Sequence, residues 1–298
     1  MNRLISFLMK EEVEFKTEKR LSECTSVGIG GVASLFVTPK SKEQFTKIIN
    51  FVLKNKIPHY VCGNMTNLLP SDSKINKVII STLGVNSFTI TDDELYADCG
   101  ALFSKIILRA RDMSLGGYES LFGIPGTVGG MLRINAGAYG SSISDLLVSV
   151  EVYDCRLGRA FWLEKEELSF FYRDSEIKKR ALIVLGAKFR LLKRERADII
   201  ADIESIRKKR LKAQPISQKS LGSVFKKTDN LAASYLIDRC GLKGYSVGEV
   251  SVSEKHAGFF INNGKGTASD FLKLCDIVKE KVADKYGVAL SEEFEYIE

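Results

Sequence analysis

A chain of 298 residues is larger than a single core comfortably fills, so two or three sub-domains are expected. Hydrophobic residues make up 45% and charged residues 27%, the balance of an ordinary globular protein and not of a disordered or membrane-embedded one. The net charge of +7 comes from 44 Lys+Arg against 37 Asp+Glu; with no aromatic interleaving, zinc-finger or helix-turn-helix pattern it speaks against nucleic acid and suits small anionic substrates such as nucleotides and carboxylates.

The elements follow in chain order. The early apolar run Leu4-Ile-Ser-Phe-Leu-Met9 meets Lys10-Glu-Glu12 at once; it is too short for a membrane span and has no small-residue cleavage site, so a cytoplasmic protein is expected. Residues 33–38 read as a strand ended by Pro39. Residues 42–55 carry Phe45, Ile48, Ile49, Val52 and Leu53 at helical spacing. Strands at 58–62 and 77–82 complete a β-α-β unit ending near residue 83. A second region, 84–205, opens with hairpin-like segments at 87–90 and 95–99, then a helix at 103–112, a glycine-rich core, and strands at 147–154 and 181–192. The basic stretch 188–212 holds Ile199, Ile200, Ile203 and Ile206 and predicts an amphipathic helix with a solvated basic face. A third region, 206–298, contains Gly222-Ser-Val-Phe-Lys226, an amphipathic helix at 268–286 and a strand-like tail.

Cys24, Cys62, Cys99, Cys155, Cys240 and Cys275 show no C-x-x-C spacing and read as reduced, packed thiols. His59 and His256 are the only histidines, so no metal site is expected.

The most informative feature is the segment 116–140, which places eight of the 24 glycines in 25 otherwise apolar residues. It contains Gly123-Ile-Pro-Gly-Thr-Val-Gly-Gly130 and Asn135-Ala-Gly-Ala-Tyr-Gly140. Without a Cβ, glycine lets backbone N–H groups come close to a ligand, so two such runs predict a cradle for an anionic or planar cofactor. A pair of tight turns between strands is the alternative.

Three shorter motifs are decoys. Gly28-Ile-Gly30-Gly-Val-Ala33 matches a dinucleotide fingerprint, but a strand follows it and not a helix. Gly244-Tyr-Ser-Val-Gly248 spells a hydrolase nucleophile elbow around Ser246 without the strand and helix that motif needs. Asn263-Gly-Lys-Gly-Thr267 resembles a phosphate loop, but Gly266 sits where Ser or Thr is required.

Taken together, the two glycine runs resemble the flavin-binding core of the UDP-N-acetylenolpyruvoylglucosamine reductase family. Further segments match it in order: Thr25-Ser-Val-Gly-Ile-Gly-Gly31, Phe171-Tyr-Arg-Asp-Ser175, Gly222-Ser-Val-Phe-Lys226, Gly241-Leu-Lys-Gly-Tyr245 running on to Val252-Ser-Glu-Lys-His-Ala257, and Gly287-Val-Ala-Leu-Ser-Glu-Glu-Phe294. The resemblance implies an α+β chain: a two-part FAD-binding fold of the vanillyl-alcohol-oxidase/PCMH type (1–83 and 84–205) plus a C-terminal α/β substrate-binding domain (206–298). It further implies the shorter, second type of the family, since the 181–192 strand follows Tyr172-Arg173 too closely for an inserted loop.

For function, the resemblance implies an oxidoreductase of peptidoglycan synthesis that reduces a UDP-sugar enolpyruvyl ether, with non-covalent FAD and with NADPH as co-substrate, acting as a monomer. Its proposed catalytic residues are Arg173, Ser223 and Glu293, with Tyr172 and Lys226 at the substrate. Gly63, Asn64, Met65, Thr66 and Asn67 correspond to the family's phosphate loop. Gly126, Thr127, Gly129, Gly130, Asn135, Gly137 and Tyr139 correspond to its second cofactor-binding segment. Judged locally, Arg173 also fits a surface charge before a turn, Ser223 a helix N-cap, and Glu293 a solvated acidic tail.

This chain departs from the family pattern at several places. Asn64 and Met65 replace small residues in the phosphate loop, Arg133 replaces an apolar residue, Lys227-Thr228 replaces Asn-Pro, and Glu295 stands where an arginine is usual. Two alternatives to an active reductase remain open at this point: a non-catalytic FAD- or nucleotide-binding paralogue, and a serine hydrolase built on Ser246.

Overall fold

The computed structural model describes residues 2–228 and 231–298. Its contacts divide it into two compact units that interleave along the chain. The first comprises the residues up to Lys16, Leu35–Asn64 and Lys77–Lys208; the second comprises Thr17–Ser34, Met65–Asn76 and Lys209–Glu298. This is a division by contact. The sequence division at 83/84 and 205/206 is one along the chain, and it stays a proposal about subdomains.

In the first unit the β-α-β reading holds. The His59–Cys62 strand pairs in parallel with Ile75–Ser81, from His59 opposite Val78 to Cys62 opposite Ser81. The helix Lys42–Lys54, which joins the strand Val32–Thr38 to His59–Cys62, buries Phe45, Ile48, Ile49 and Val52, the i, i+3, i+4, i+7 stripe that sequence spacing dictates. Ser41 caps it by accepting the Gln44 N–H.

The rest of this unit is built on a five-stranded antiparallel sheet, ordered Arg159–Glu164, Leu147–Asp154, Leu182–Arg190, Glu94–Asp98, Phe88–Thr91. Bulges between Leu147 and Ser149 and between Glu151 and Val152 shift the register, so burial along Leu147–Asp154 is not strictly alternating. The helix Phe103–Asp112 buries Phe103, Ile106, Ile107 and Ala110. Phe103, Tyr118 and Phe189 meet edge-to-face in the core, with ring centroids 5.0–6.0 Å apart.

The basic helix runs Arg196–Ala213, around the isoleucines that predicted it. Residues to Arg190 are committed to the sheet, and Leu192–Lys193 pairs with Leu115–Gly116. Ile199, Ile203 and Ile206 are buried, whereas Ile200 is 38% exposed and lies off the inward face.

The second unit holds a three-stranded antiparallel sheet, Ser246–Val247, Val250–Val252 and Phe260–Asn262, with the helices Ala233–Arg239 and Ala268–Tyr286. Phe225, Phe260, Phe271 and Phe294 form a chain of ring contacts through its core. The Ala268–Tyr286 helix is started by a Thr267/Asp270 capping box and stopped by Gly287 at φ 66°. The tail strand Glu295–Ile297 pairs in parallel with Leu68–Pro70.

No helix among the described residues is long and apolar enough to cross a membrane, and no group of three His, Cys, Asp or Glu among them is placed to hold a metal. All six cysteines are unbridged.

Candidate cofactor and catalytic sites

In the first unit the glycine-rich segment is pinned against residues 99–103. The Phe103 N–H donates to the Gly126 carbonyl at 3.1 Å, the Val128 N–H to Ala101 at 2.9 Å, and the Gly129 N–H to Cys99 at 2.8 Å. Thr127 opens the short Val128–Arg133 helix by accepting the Gly130 N–H at 3.3 Å.

Gly63 belongs to the same place. A Cβ on it would lie 2.3 Å from the Thr127 hydroxyl oxygen, so only a bare backbone fits there. Asn64 sits beside it, its Nδ2 donating to the Pro125 carbonyl at 2.9 Å. Two segments 61 residues apart at the Asn64–Pro125 bond are thus joined into one backbone-lined surface.

The second glycine run forms a tight hairpin, with Gly137–Ala138 paired to Ser141–Ser142 across Tyr139 and Gly140, at φ 51° and 86°. Tyr139 is 48% exposed in a left-handed conformation that an aromatic residue rarely takes. Asn135 is also left-handed (φ 44°); its Nδ2 donates to the Phe171 carbonyl at 3.0 Å, and its Oδ1 is buried with no hydrogen-bond partner.

Arg173 occupies the two-residue turn between Phe170–Phe171 and Asp174–Ser175, with φ 53°. Its guanidinium lies over the Tyr172 ring at 5.2 Å and donates from Nη2 to the Gly137 carbonyl at 2.8 Å. It is therefore held against the glycine segment and is not a loose surface charge. The structure places Tyr172 beside it, 45% exposed.

In the second unit, Ser223 lies on an extended segment bridged on one side to Phe259, while its neighbour Phe225 is bridged to Glu292. The Val224 N–H donates to Gly258, the Glu293 N–H to Val224, and the Lys226 N–H to Ser291, at 2.8, 2.8 and 2.9 Å. Ser223 is thus in no helix, which removes the N-cap reading. Glu293 is not on a free tail: its carbonyl accepts Asn67 Nδ2 at 3.0 Å, and Phe294 beside it is buried. The adjacent Glu292 is engaged differently, as the ion-pair partner of Lys279. Ser223, Lys226 and Glu293 are all half-buried.

The loop departures resolve in detail. Met65 is left-handed (φ 51°), and its side chain is buried. Thr66 presents its carbonyl to the Ser26 hydroxyl at 3.4 Å. The Arg133 carbonyl accepts the Ser175 hydroxyl at 2.7 Å. Glu295 is fixed through its backbone N–H on the Asn67 carbonyl at 3.0 Å, and Lys227 is exposed.

The decoys are absorbed as structure. Ser246 is an exposed residue of a strand–turn–strand hairpin, not of a strand–turn–helix elbow. His256 packs edge-on against Phe259, accepts the Gly258 N–H, and has its pKa lowered by burial. Gly28 and Gly30, at φ 68° and 140°, turn the chain into the Val32–Thr38 strand. At the Asn263–Thr267 motif, the first helical N–H groups of Ala268 and Ser269 are already taken by the Asp72 carboxylate, at 2.7 and 3.0 Å. Sequence reasoning did not find the contributions of Cys99 and Ala101, which act through their main-chain carbonyls, or of Asp72 and Ser175, whose side chains bond to main chain far off in sequence; none of these leaves a pattern.

Residues 33–164 match the profile of an FAD binding domain, and residues 214–297 match that of the C-terminal domain of UDP-N-acetylenolpyruvoylglucosamine reductase. The chain is 39% identical over 293 residues to the UDP-N-acetylenolpyruvoylglucosamine reductase of Caldicellulosiruptor bescii, covering 98% of this chain and 93% of that protein. It is 39% identical over 291 residues to the protein of the same name from Clostridium novyi, covering 98% and 94%. The crystal structure of the reductase from Thermus caldophilus aligns with a TM-score of 0.81 at 30% identity, covering 96% of this chain and 99% of that one.

Proposed function

The chain belongs to the UDP-N-acetylenolpyruvoylglucosamine reductase family, and we propose that it reduces UDP-N-acetylglucosamine enolpyruvate to UDP-N-acetylmuramate with NADPH, a reaction of peptidoglycan synthesis. Its fold is α+β, an FAD-binding domain of the PCMH type with the reductase C-terminal domain. The proposal includes a monomer acting in the cytoplasm on small molecules.

Two observations support FAD in the first unit: the bare backbone that Thr127 demands at Gly63, and the buried, unpartnered acceptor of Asn135. Gly63, Asn64, Gly126, Thr127, Gly129, Gly130, Asn135, Gly137 and Tyr139 are its proposed contacts, and the loop residues Met65, Thr66 and Asn67 that follow Asn64 in sequence are assigned to it by the family resemblance. When bound, FAD supplies the hydride chemistry, taking two electrons from NADPH and releasing them to the substrate double bond.

The protein's own task is to manage charge and a proton. Hydride addition to the enolpyruvyl double bond leaves negative charge conjugated with the substrate carboxylate, which calls for a cation or hydrogen-bond donors where that charge develops. Arg173 is assigned to it, with Tyr172 at the substrate. The adjacent carbon needs a proton, assigned to the Ser223 hydroxyl. A serine is a weak acid whose alkoxide needs stabilising neighbours, and Lys226 is assigned to the substrate. Glu293 completes the set as a carboxylate on the neighbouring segment.

The observation that carries this assignment is the Glu293 N–H donating to the Val224 carbonyl at 2.8 Å, which draws the two residues' segments together. The test is an absorption spectrum of the purified protein. A flavin spectrum bleached by NADPH and restored by UDP-N-acetylglucosamine enolpyruvate is expected; a colourless protein that takes up no FAD on reconstitution would overturn the proposal.

A further inference from the structure

The hairpin that carries Arg173 is laced to the glycine segment by three side chains acting on backbone carbonyls. Ser175 Oγ donates to Arg133 at 2.7 Å, Asn135 Nδ2 to Phe171 at 3.0 Å, and Arg173 Nη2 to Gly137 at 2.8 Å. The partners are alternate residues on both sides, 133, 135 and 137 against 175, 171 and 173. The two segments are thus tied at three points by side-chain bonds to main-chain carbonyls. Ser175 is fully buried.

Asn135 differs from the other two because it has a second, unused end. Its amide group offers an acceptor as well as donors, and the acceptor Oδ1 is buried with no partner. A buried acceptor left unmet is unfavourable, so a donor that reaches it is favoured by its removal. The amide cannot turn round to relieve this, because Oδ1 would then face the Phe171 carbonyl, acceptor against acceptor.

Resting on the function proposed above, we infer that Asn135 is a positioning residue with two ends: Oδ1 receives an N–H donor of bound FAD, and Nδ2 holds the hairpin that presents Arg173. Filling the cofactor site then steadies the arginine, and by reciprocity a steadied hairpin tightens FAD. The cofactor-loaded protein meets the anionic substrate with its cation already in place. Both residues sit at left-handed φ, 44° and 53°, a conformation that Arg173 keeps because the lacing holds it there.

The test is hydrogen exchange on the full-length protein with and without FAD, read over residues 124–131 and 170–176, together with FAD affinity from fluorescence quenching. In the unsubstituted protein FAD is expected to slow exchange in both segments, in the hairpin by about tenfold. Asn135→Gly keeps the left-handed backbone and removes both ends; FAD is expected to bind about tenfold more weakly and to protect 124–131 only. Asn135→Asp keeps an acceptor and sets a carboxylate oxygen against the Phe171 carbonyl, so it is expected to retain FAD and lose the hairpin response. It also serves if the glycine variant does not fold. Protection of 124–131 with an unresponsive hairpin in the unsubstituted protein, or a hairpin that still responds in Asn135→Asp, would overturn the inference alone. Absence of FAD binding and of protection at 124–131 would overturn the proposed function with it.

Discussion

Glu293 donates its backbone N–H to the carbonyl of Val224 at 2.8 Å, so the glutamate rides on the segment next to the one that carries Ser223. The bond is between main chains, and substitution of either side chain leaves it in place. Ser223→Ala and Glu293→Gln therefore test chemistry without undoing the segment. Each is expected to lower kcat by about 100- to 10,000-fold, the usual worth of a positioned acid or base. Stopped-flow kinetics should show the loss in reoxidation by the enolpyruvyl substrate and not in reduction by NADPH. Equal losses in both halves would remove the two residues from proton transfer.

Strong periodicity made the helices Phe103–Asp112 and Ala268–Tyr286 and the strand Leu147–Asp154 legible to the residue. The strand Glu14–Arg20 carried no such signal, because its residues are mostly charged and exposed, and Arg159–Glu164 buries only Leu163 fully, too short an alternation to read. The short helix inside the glycine run, Val128–Arg133, was hidden by Gly129 and Gly130, poor helix formers held in place by Thr127 and by the Cys99 carbonyl. At the sites, glycine density marked the cradle, but nothing local marks Gly63 as the partner of Thr127. The roles of Ser223 and Glu293 came from resemblance, since a serine in an extended segment and a glutamate in an acidic tail carry no pattern of their own.

Gly63→Ala is expected to damage the cradle more than its one methyl group suggests. The new Cβ would stand 2.3 Å from the Thr127 hydroxyl oxygen, so either the loop or Thr127 must move. Overpacking of this kind costs about 1–3 kcal/mol. The expected result is a lower Tm and weaker FAD binding in fluorescence titration. Thr127→Ala removes the obstructing oxygen at the expense of the helix cap, about 1 kcal/mol, so the double variant should recover part of the FAD affinity. A single variant that binds FAD as well as the unsubstituted protein would show that the close approach is not needed.

A half-buried network predicts alkaline sensitivity. Tyr96 donates to Asp98 at 2.7 Å and accepts from Lys42 Nζ at 3.1 Å, while Lys42 also pairs with Glu151. Burial, with the Asp98 bond next, pushes the Tyr96 phenol up to about 12. Burial acts to lower the Lys42 pKa, but its bonds to Glu151 and Tyr96 prevail and raise it. Both groups hold their protons more tightly in the folded state than in the unfolded one. Their contribution is complete below pH 10 and is lost as pH rises from there towards about 12. Urea midpoints measured across this range should fall, and fall less steeply in Tyr96→Phe. Parallel slopes for the two proteins would exclude the phenol as a cause.

Asp72 fills the N-terminus of the Ala268–Tyr286 helix, accepting the Ala268 and Ser269 N–H groups at 2.7 and 3.0 Å. These are the donors that a phosphate would need for the Asn263–Thr267 motif to act as a phosphate loop. The carboxylate also opposes the positive end of a 19-residue helix dipole, so its role is structural on two counts. Asp72→Ala is expected to cost about 0.5–2 kcal/mol, the range of a lost cap, and Asp72→Asn less, because one acceptor survives. Urea unfolding would measure both. Inorganic phosphate should leave the Tm of the unsubstituted protein unchanged, since its place is taken; a phosphate-dependent rise that disappears in Asp72→Ala would reverse the assignment and make the motif a ligand site.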